Sequence, residues 1–216
     1  MNKNHYYKHI IWDWNGTLIN DAWLCSKIMS ELLSKYGQGS INKEKYKEIF
    51  EFPISTFYHK LGFEENFFDL ISKEFTEIYN QKKNQLTLHV NAKNVLQLLI
   101  DNKIENSILS ASKQDILDES VINFQLNAFF KNIIGVENSF AAGKDLKGVQ
   151  LINKLNIEKK EILIIGDTEF DYFLSKKFQC DCLLLSHGHN SHNRLSNFGV
   201  PVFNSLLELY DYLNLF

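Results

Sequence analysis

Two aspartates stand where short apolar runs end, and their positions favour a shared metal site. Asp13 follows the run at residues 10–12, and Asp167 follows the run at residues 162–166. Such runs predict buried parallel strands, whose carboxyl ends meet at one edge of a sheet where ligands gather. Two carboxylates that close together repel each other unless a cation lies between them. We therefore expect Asp13 and Asp167 to bind one Mg²⁺ ion.

The elements that position these aspartates fall into two groups. Residues 20–85 show only helical patterns, with Asn20 or Asp21 as the first cap, Gly37 as the first stop and Pro53 in the first turn of a later helix. Later in the chain, helices alternate with short strands. The predicted strands there are residues 107–110, 133–134, 161–165, 182–185 and 201–203.

Alternation of this kind predicts an α/β fold with a parallel sheet covered on both faces. We expect a Rossmann-like core of five or six parallel strands, formed by residues 1–19 and 86–216. The helical residues 20–85 are expected to form an inserted α-helical cap. Two smaller expectations concern the core: residues 112–115 resemble a helix-opening capping box, and Cys180 and Cys182 lie on one strand and could face the core together.

The chemistry-bearing residues occur in a characteristic order. Asp13-x-Asn15-Gly16-Thr17-Leu18 comes first, then Ser110 at a strand end, then Lys144, then Gly166-Asp167-Thr168-x-x-Asp171. This ordered set resembles the haloacid dehalogenase-like (HAD) hydrolase superfamily, close to its phosphoglycolate-phosphatase-like members with a helical cap. The resemblance spans essentially the whole chain. It implies a magnesium-dependent phosphatase acting on a small phosphorylated metabolite.

The resemblance also implies a role for each matching residue. Asp13 would be the nucleophile that forms an aspartyl-phosphate, which water then hydrolyses. The Mg²⁺ ligands would be Asp13, the main-chain carbonyl of Asn15, and Asp167. Asp171, one helical turn after Asp167, would hold Lys144 or a magnesium-bound water.

Four residues are expected at the substrate phosphate: Thr17, Ser110, Ala111 and Lys144. Ser110 would donate a hydrogen bond to the phosphoryl oxygens and Lys144 would neutralise their charge. Other interpretations stay open, since Ser110 could be a simple cap and Thr17 suits the turn after the nucleophile better than a substrate contact. Lys144 is favoured over Lys147, although many lysines are merely solvated.

Position 15 departs from the family pattern, which places an acid/base aspartate there. The amide of Asn15 neither donates a proton as an acid nor accepts one near neutral pH, a loss of about 10²- to 10⁴-fold on an alkyl phosphate. Another group could supply the proton, the substrate could have a good leaving group, or the chain could be a phosphate-binding or regulatory module with weak or no turnover. The candidate replacement groups are Asp21, His59, Lys60, His187 and His189.

The remaining features exclude other classes of function. The net charge is −3 with one arginine, so no basic stripe favours nucleic acid, and no apolar run is long enough for a membrane span. The three histidines of residues 187–192 lack a Cys or carboxylate to complete a zinc site, so they predict a loop at the rim of the site. We expect a cytoplasmic monomer or weak dimer. Carbon–halogen cleavage is the weaker alternative, and activity insensitive to EDTA would favour it.

Overall fold

A computed structural model of the chain describes residues 7–137 and 143–213. A six-stranded sheet in the order β5-β4-β1-β6-β7-β8 forms its centre, and all of its paired strands are parallel. The sheet strands are β1 (His9–Trp12), β4 (Glu105–Lys113), β5 (Asn132–Val136), β6 (Ile162–Gly166), β7 (Asp181–Leu185) and β8 (Val202–Phe203). A two-stranded antiparallel ladder, β2 (Ile19–Asn20) with β3 (Thr87–Leu88), lies apart from it. The predicted Rossmann-like fold class is confirmed.

Helices cover the sheet and fill the segment between β2 and β3. The helices between β2 and β3 are α1 (Ala22–Lys35), α2 (Lys43–Ile49), α3 (Ile54–Lys60) and α4 (Phe68–Lys82). The later helices are α5 (Ala92–Asp101), α6 (Gln114–Asn123), α7 (Lys144–Leu155), α8 (Glu169–Phe178), α9 (His192–Leu195) and α10 (Leu206–Leu213). Residues 214 and 215, the end of the predicted closing helix, lie outside the described residues.

The register of the central strands explains why both aspartates reach one edge of the sheet. Every residue of β1 and β6 is buried, as expected for strands covered on both faces. Trp12 pairs with Ile165, and the Asp13 N–H donates to the Ile165 carbonyl at 2.9 Å. Asp13 therefore leaves β1 level with the end of β6, from which Asp167 follows. From the β1–β6 pair the sheet continues to β4 on one side and to β7 on the other. Open α/β sheets bind ligands at such a point, beyond the carboxyl ends of the strands.

The helices α1 to α4 pack around a core of their own. Leu24, Ile28 and Leu32 of α1 are fully buried against Phe57 and Ile71. The entry to and exit from this helical segment are held together where Ile19 pairs with Leu88 and Asn20 pairs with Thr87. The sequence pattern missed this ladder because strands of two residues carry no periodicity.

Several local predictions are confirmed. Gly37 ends α1 with φ +71°, and the Gln38 N–H donates to the Leu33 carbonyl at 2.9 Å, as in a Schellman motif. Trp12 and Trp14, on either side of Asp13, are buried in the main core. Among the described residues, no helix combines the length and apolar character that a membrane crossing needs.

Two local predictions are wrong. Residues 112–115 are not a capping box, because β4 continues to Lys113 and the Ser112 hydroxyl donates to Asn15 instead of to its own helix. Cys180 precedes β7 and belongs to a different apolar cluster from Cys182, so the two thiols do not face one core together. Both cysteines are buried and free, which agrees with a packing role.

Candidate active site

Lys144 lies between two carboxylates at the carboxyl edge of the sheet. Its Nζ donates to Asp13 Oδ1 at 2.6 Å and to Asp171 Oδ1 at 2.9 Å, and all three side chains are nearly buried. Burial would lower the pKa of the Lys144 amine, but the charges of Asp13 and Asp171 outweigh that effect and raise it. Lys144 is therefore a fixed cation beside the Asp13 carboxylate. This contact agrees with the expected role of Asp171 as the partner of Lys144.

The position of Asp171 follows from how α8 begins. Thr168 is the N-cap, and the Asp171 Oδ2 accepts from the Thr168 N–H at 3.1 Å and from its hydroxyl at 2.8 Å. One carboxylate oxygen thus caps the helix while the other holds Lys144. Gly166 is needed here because a Cβ at that position would lie 2.1 Å from the Asp171 carboxyl carbon.

Asp167 is fixed by loops that follow two other strands. Its Oδ1 accepts from the Thr17 hydroxyl at 2.7 Å, and its Oδ2 accepts from the His189 main-chain N–H at 2.6 Å. The expectation that Thr17 touches substrate finds no support, since its hydroxyl is fully buried against Asp167 and Thr17 does not line the cavity described below. Thr17 acts on the candidate metal ligand instead.

The acidic cluster has the donor chemistry of a magnesium site. Oxygens of Asp13, Asp167 and Asp171 all lie within 4.8 Å of one another, with Lys144 as the cation between two of them. Burial raises the pKa of Asp13 to about 8 and that of Asp167 to about 6, with the neighbouring carboxylates adding to the effect in both cases. A hard divalent cation would offset both the burial of these carboxylates and their mutual repulsion, and clustered oxygens are the ligands it prefers.

A cavity of about 240 Å³ opens from Asp13 towards α1, α3 and α4. Ser110, Ala111 and Lys144 line its floor together with Asp13, so three of the four residues expected at the phosphate share one space with the expected nucleophile. Ser110 is buried, and its Oγ accepts from the Ser112 N–H at 3.0 Å, which leaves its hydroxyl hydrogen available to another acceptor.

Asn15 also faces this cavity, and its amide is held on all sides. Its Nδ2 donates to Asp21 Oδ2 at 2.7 Å and to the Tyr79 hydroxyl at 3.0 Å, while its Oδ1 accepts from the Ser112 hydroxyl at 2.7 Å. Tyr79 also donates to Asp21 Oδ2, at 2.9 Å. Sequence reasoning did not find Ser112 or Tyr79, because no local pattern connects them to residue 15.

A buried ion pair lies next to Asn15. His189 Nε2 approaches Asp21 Oδ1 at 3.2 Å without the alignment of a hydrogen bond, and its Nδ1 pairs with the Tyr46 hydroxyl at 2.9 Å. Burial raises the pKa of Asp21, but the charge of His189 outweighs this and lowers it. Burial likewise lowers the pKa of His189, and Asp21 overcomes this to raise it to about 9. The pair is therefore charged at neutral pH.

Three of the groups considered as replacements for the missing acid do not line the cavity. The ring of His187 stacks on His89 at 3.7 Å, and the two Nε2 atoms donate to the carbonyls of Thr17 and Gly16 at 3.1 Å. Burial and the neighbouring His89 lower the pKa of His187 to about 3, so it carries no acidic proton at neutral pH. His59 and Lys60 are exposed on α3, outside the cavity lining, with Glu65 and Glu51 as partners.

Comparison with known proteins identifies the sequence family. The family model described as haloacid dehalogenase-like hydrolase matches residues 10–185. No protein with a curated description matches the chain significantly.

Solved structures share the fold across nearly the entire chain. A predicted phosphatase from Clostridium acetobutylicum has a TM-score of 0.82 at 19% identity, covering 97% of this chain and 99% of its own. A predicted phosphoglycolate phosphatase from Haemophilus somnus has a TM-score of 0.79 at 16% identity, with coverages of 98% and 100%. The protein tyrosine kinase A of Mycobacterium tuberculosis has a TM-score of 0.80 at 15% identity, with coverages of 97% and 99%. At identities this low, the structural similarity establishes a shared fold and leaves the substrate open.

Proposed function

This chain belongs to the haloacid dehalogenase-like hydrolase family, and on that premise we propose that it is a magnesium-dependent phosphatase of a small phosphorylated metabolite. The observation that carries the proposal is the Lys144 bridge between Asp13 and Asp171 at the floor of the cavity. It holds a carboxylate beside a fixed cation where a phosphoryl group can enter. In this proposal residues 20–85 are the cap over a catalytic core of residues 1–19 and 86–216.

The proposed reaction has two displacements. A carboxylate oxygen of Asp13 attacks phosphorus, the new O–P bond forms, and the ester oxygen leaves with the bonding electrons. Water then attacks the same phosphorus, the bond to Asp13 breaks, and inorganic phosphate and free Asp13 result. Lys144 and the Ser110 hydroxyl stabilise the charge on the phosphoryl oxygens in both steps.

Mg²⁺ would be held by Asp13, Asp167 and the main-chain carbonyl of Asn15, with Asp171 at the edge of the cluster. When bound, it supplies positive charge that keeps Asp13 ionised and offsets the charge of the phosphoryl group. Thr17 and the His189 main-chain N–H fix the orientation of Asp167 for this purpose.

The competing proposal is a phosphate-binding or regulatory module with little turnover. The feature that favours it is Asn15, whose amide is fully engaged by Asp21, Tyr79 and Ser112 and has no acidic proton to give. The two proposals differ in whether Asp13 becomes phosphorylated and then releases phosphate.

Covalent trapping of phosphate on Asp13 tests the proposal. Protein with Mg²⁺ is mixed with a 32P-labelled phosphate ester, quenched with acid and analysed by peptide mass spectrometry. We expect label on the peptide that contains Asp13, loss of label in Asp13→Asn, and loss of turnover with EDTA. Retained turnover in Asp13→Asn or in EDTA would contradict the proposal. Stable label without release of phosphate would support the module instead.

A further inference from the structure

Taking the proposed phosphatase function as its basis, we infer that the organic part of the substrate is a neutral apolar ring, so that the substrate is an aryl phosphate. Three features of the cavity support this inference independently: an apolar wall, cations that are all already paired, and an Asn15 amide that has no proton to give to a leaving group. Each excludes a different kind of phosphate ester.

The wall opposite Asp13 is mainly aromatic and aliphatic. It is formed by side chains of α1, α3, α4 and the segment before α3. The side chains that define it are Met29, Phe50, Phe52, Ile54, Phe57 and Phe75. Such a surface gains free energy by removing an apolar group from water and offers no hydrogen bonds to the hydroxyl groups of a sugar.

Some polar groups within the same wall are bonded to one another. The Ser72 hydroxyl donates to the Tyr58 hydroxyl, and the Thr76 hydroxyl donates back to the Ser72 carbonyl at 2.8 Å. The Tyr46 hydroxyl is engaged by His189. These bonds use part of the hydrogen-bonding capacity of the wall, which leaves less of it for a substrate rich in hydroxyl groups.

Every cation that lines the described part of the cavity already has an anionic partner. Lys144 is paired with Asp13 and Asp171, His189 with Asp21, and Lys113 with Asp115 at 3.0 Å. A carboxylate on the substrate, as in phosphoglycolate, would be buried against an apolar wall without a counter-charge, and such burial is strongly unfavourable.

The state of residue 15 limits the leaving group. Both Asn15 N–H groups are used, one on Asp21 and one on Tyr79, so the amide gives neither a proton nor a hydrogen bond to the departing oxygen. An aryloxide needs little such help, because its charge is delocalised into the ring. When Asp13 attacks, the P–O(aryl) bond breaks, the aryloxide departs with the electron pair and takes its proton from water.

The size of the cavity agrees with one ring. Apolar protein cavities of about 150 Å³ accommodate benzene. The cavity here, about 240 Å³, therefore has room for a ring in addition to a phosphoryl group. A substrate that carries both a sugar and a base would exceed this volume unless the proposed cap opened further.

Non-hydrolysable analogues test the inference separately from the proposed function. Phenylphosphonate and phosphonoacetate differ in carrying a neutral ring or a carboxylate, and calorimetry on the magnesium-loaded wild-type protein gives both affinities. We expect phenylphosphonate to bind at least ~10-fold more tightly, since burying an unpaired carboxylate is costly. Equal or tighter binding of phosphonoacetate, or binding of neither, would overturn the inference whether or not the protein shows turnover.

Turnover gives a second readout. We expect kcat/KM for phenyl phosphate to exceed that for phosphoglycolate by ~100-fold or more. Across substituted phenyl phosphates, kcat/KM should fall steeply as the pKa of the leaving phenol rises. A flat series would contradict the argument from Asn15, and a preference for phosphoglycolate would refute the aryl assignment while leaving the phosphatase proposal intact.

A matched pair of variants tests the role of charge in the wall. Ile54 is a half-buried wall residue on α3, so Ile54→Lys adds a cation where Ile54→Met adds a neutral chain of similar length. We expect Ile54→Lys to shift the affinity ratio of the two phosphonates towards phosphonoacetate by ~10-fold, and Ile54→Met to keep the wild-type order. An unchanged ratio in a folded Ile54→Lys protein would show that charge in the wall does not select the substrate.

Discussion

At the scale of single residues, Asn15 has partners that suit an amide and would not suit the aspartate of the family pattern. The Asp21 carboxylate lies 2.7 Å from Asn15 Nδ2, a contact that a second carboxylate could make only by sharing a proton. The Ser112 hydroxyl donates to the other end of the same amide at 2.7 Å. The identity of residue 15 is thus coupled to Asp21, and a change at one position alters the charge state of the other.

The variant Asn15→Asp should raise turnover of alkyl phosphates severalfold relative to aryl phosphates. The new carboxylate would contact Asp21, and the pair would retain one proton near neutral pH that can be given to a leaving oxygen. Parallel kinetics on an alkyl and an aryl phosphate measure the ratio. Asp21→Asn is the control, because it alters the same pair without adding an acid. An unchanged ratio would argue against an acid missing at position 15.

His189 makes stability depend on pH in a defined direction. Asp21 raises the pKa of His189 to about 9 in the folded protein, against about 6.5 when unfolded. A raised pKa contributes stability that is complete below the unfolded value and is lost as pH rises through the folded value. The negative charges that raise the pKa of His189 are those of Asp21, Asp167 and Asp13.

The variant His189→Gln should therefore lose more stability at pH 6 than at pH 9.5. We expect the difference in free energy of unfolding between wild type and variant to shrink by ~1–3 kcal/mol across that interval. Urea unfolding in EDTA at several pH values measures it. A difference that stays constant with pH would mean that the buried imidazole is neutral.

At the scale of elements, loops from three strand ends must approach closely around Asp167. Gly16 follows β1 with φ +77°, and a Cβ there would lie 2.2 Å from Asp167 Oδ2 and 2.4 Å from His189 Cδ2. A Cβ at Gly188, after β7, would lie 2.1 Å from the same Asp167 oxygen. The two glycines let main chain pack directly against the carboxylate.

Gly16→Ala and Gly37→Ala form a matched pair that separates backbone strain from this contact. Gly37 has φ +71°, and a Cβ added there would have no atom within 4 Å. Gly37→Ala should therefore lower the free energy of unfolding by only about 1 kcal/mol. Gly16→Ala should lower the free energy of unfolding by about 1–3 kcal/mol more than Gly37→Ala does, because Asp167 must move. It should also weaken Mg²⁺ binding, as measured by calorimetry. Equal effects of the two variants on Mg²⁺ affinity would exclude the crowding argument.

Helices and strands of the sheet were predictable because their signals are local. A buried run such as residues 162–165 carries its own pattern, and Gly37 marks the end of α1 by its position alone. The capping box predicted at residues 112–115 failed for the opposite reason. Pairing of Lys113 with Val136 extends β4 past the point where a helix signal begins, and that pairing is a tertiary contact.

At the scale of the whole molecule, Arg194 on α9 makes a polar connection to the segment between α2 and α3. Its guanidinium donates to the main-chain carbonyls of Glu48 and Phe50 and also pairs with Glu51 and Glu169. Hydrogen bonds from a charged donor stabilise more than exposed ion pairs do. The segment before α3, which belongs to the proposed cap, is thereby connected to α8 and α9.

Arg194→Met should loosen this connection without removing the catalytic residues. We expect the free energy of unfolding to fall by ~1–3 kcal/mol. Amide hydrogen exchange at residues 48–51 should become faster, because the proposed cap opens more easily. Lys35→Met is the control, since Lys35 pairs with Glu74 on an exposed surface within the cap and such pairs contribute little. Equal exchange rates at residues 48–51 in the two variants would show that Arg194 does not hold the cap.

The sequence by itself determined the parallel sheet, the helical segment between its first two sheet strands, the two aspartates at strand ends and the family. Those features depend on short-range patterns of burial and on motif order. Tertiary structure alone decided the surroundings of residue 15. Asp21, Tyr79 and Ser112 are 6, 64 and 97 positions from Asn15, and they meet only when the helices between β2 and β3 pack against the main sheet. Side chains that converge from distant elements leave no periodic signal, because their contact depends on packing between surfaces and not on spacing along the chain.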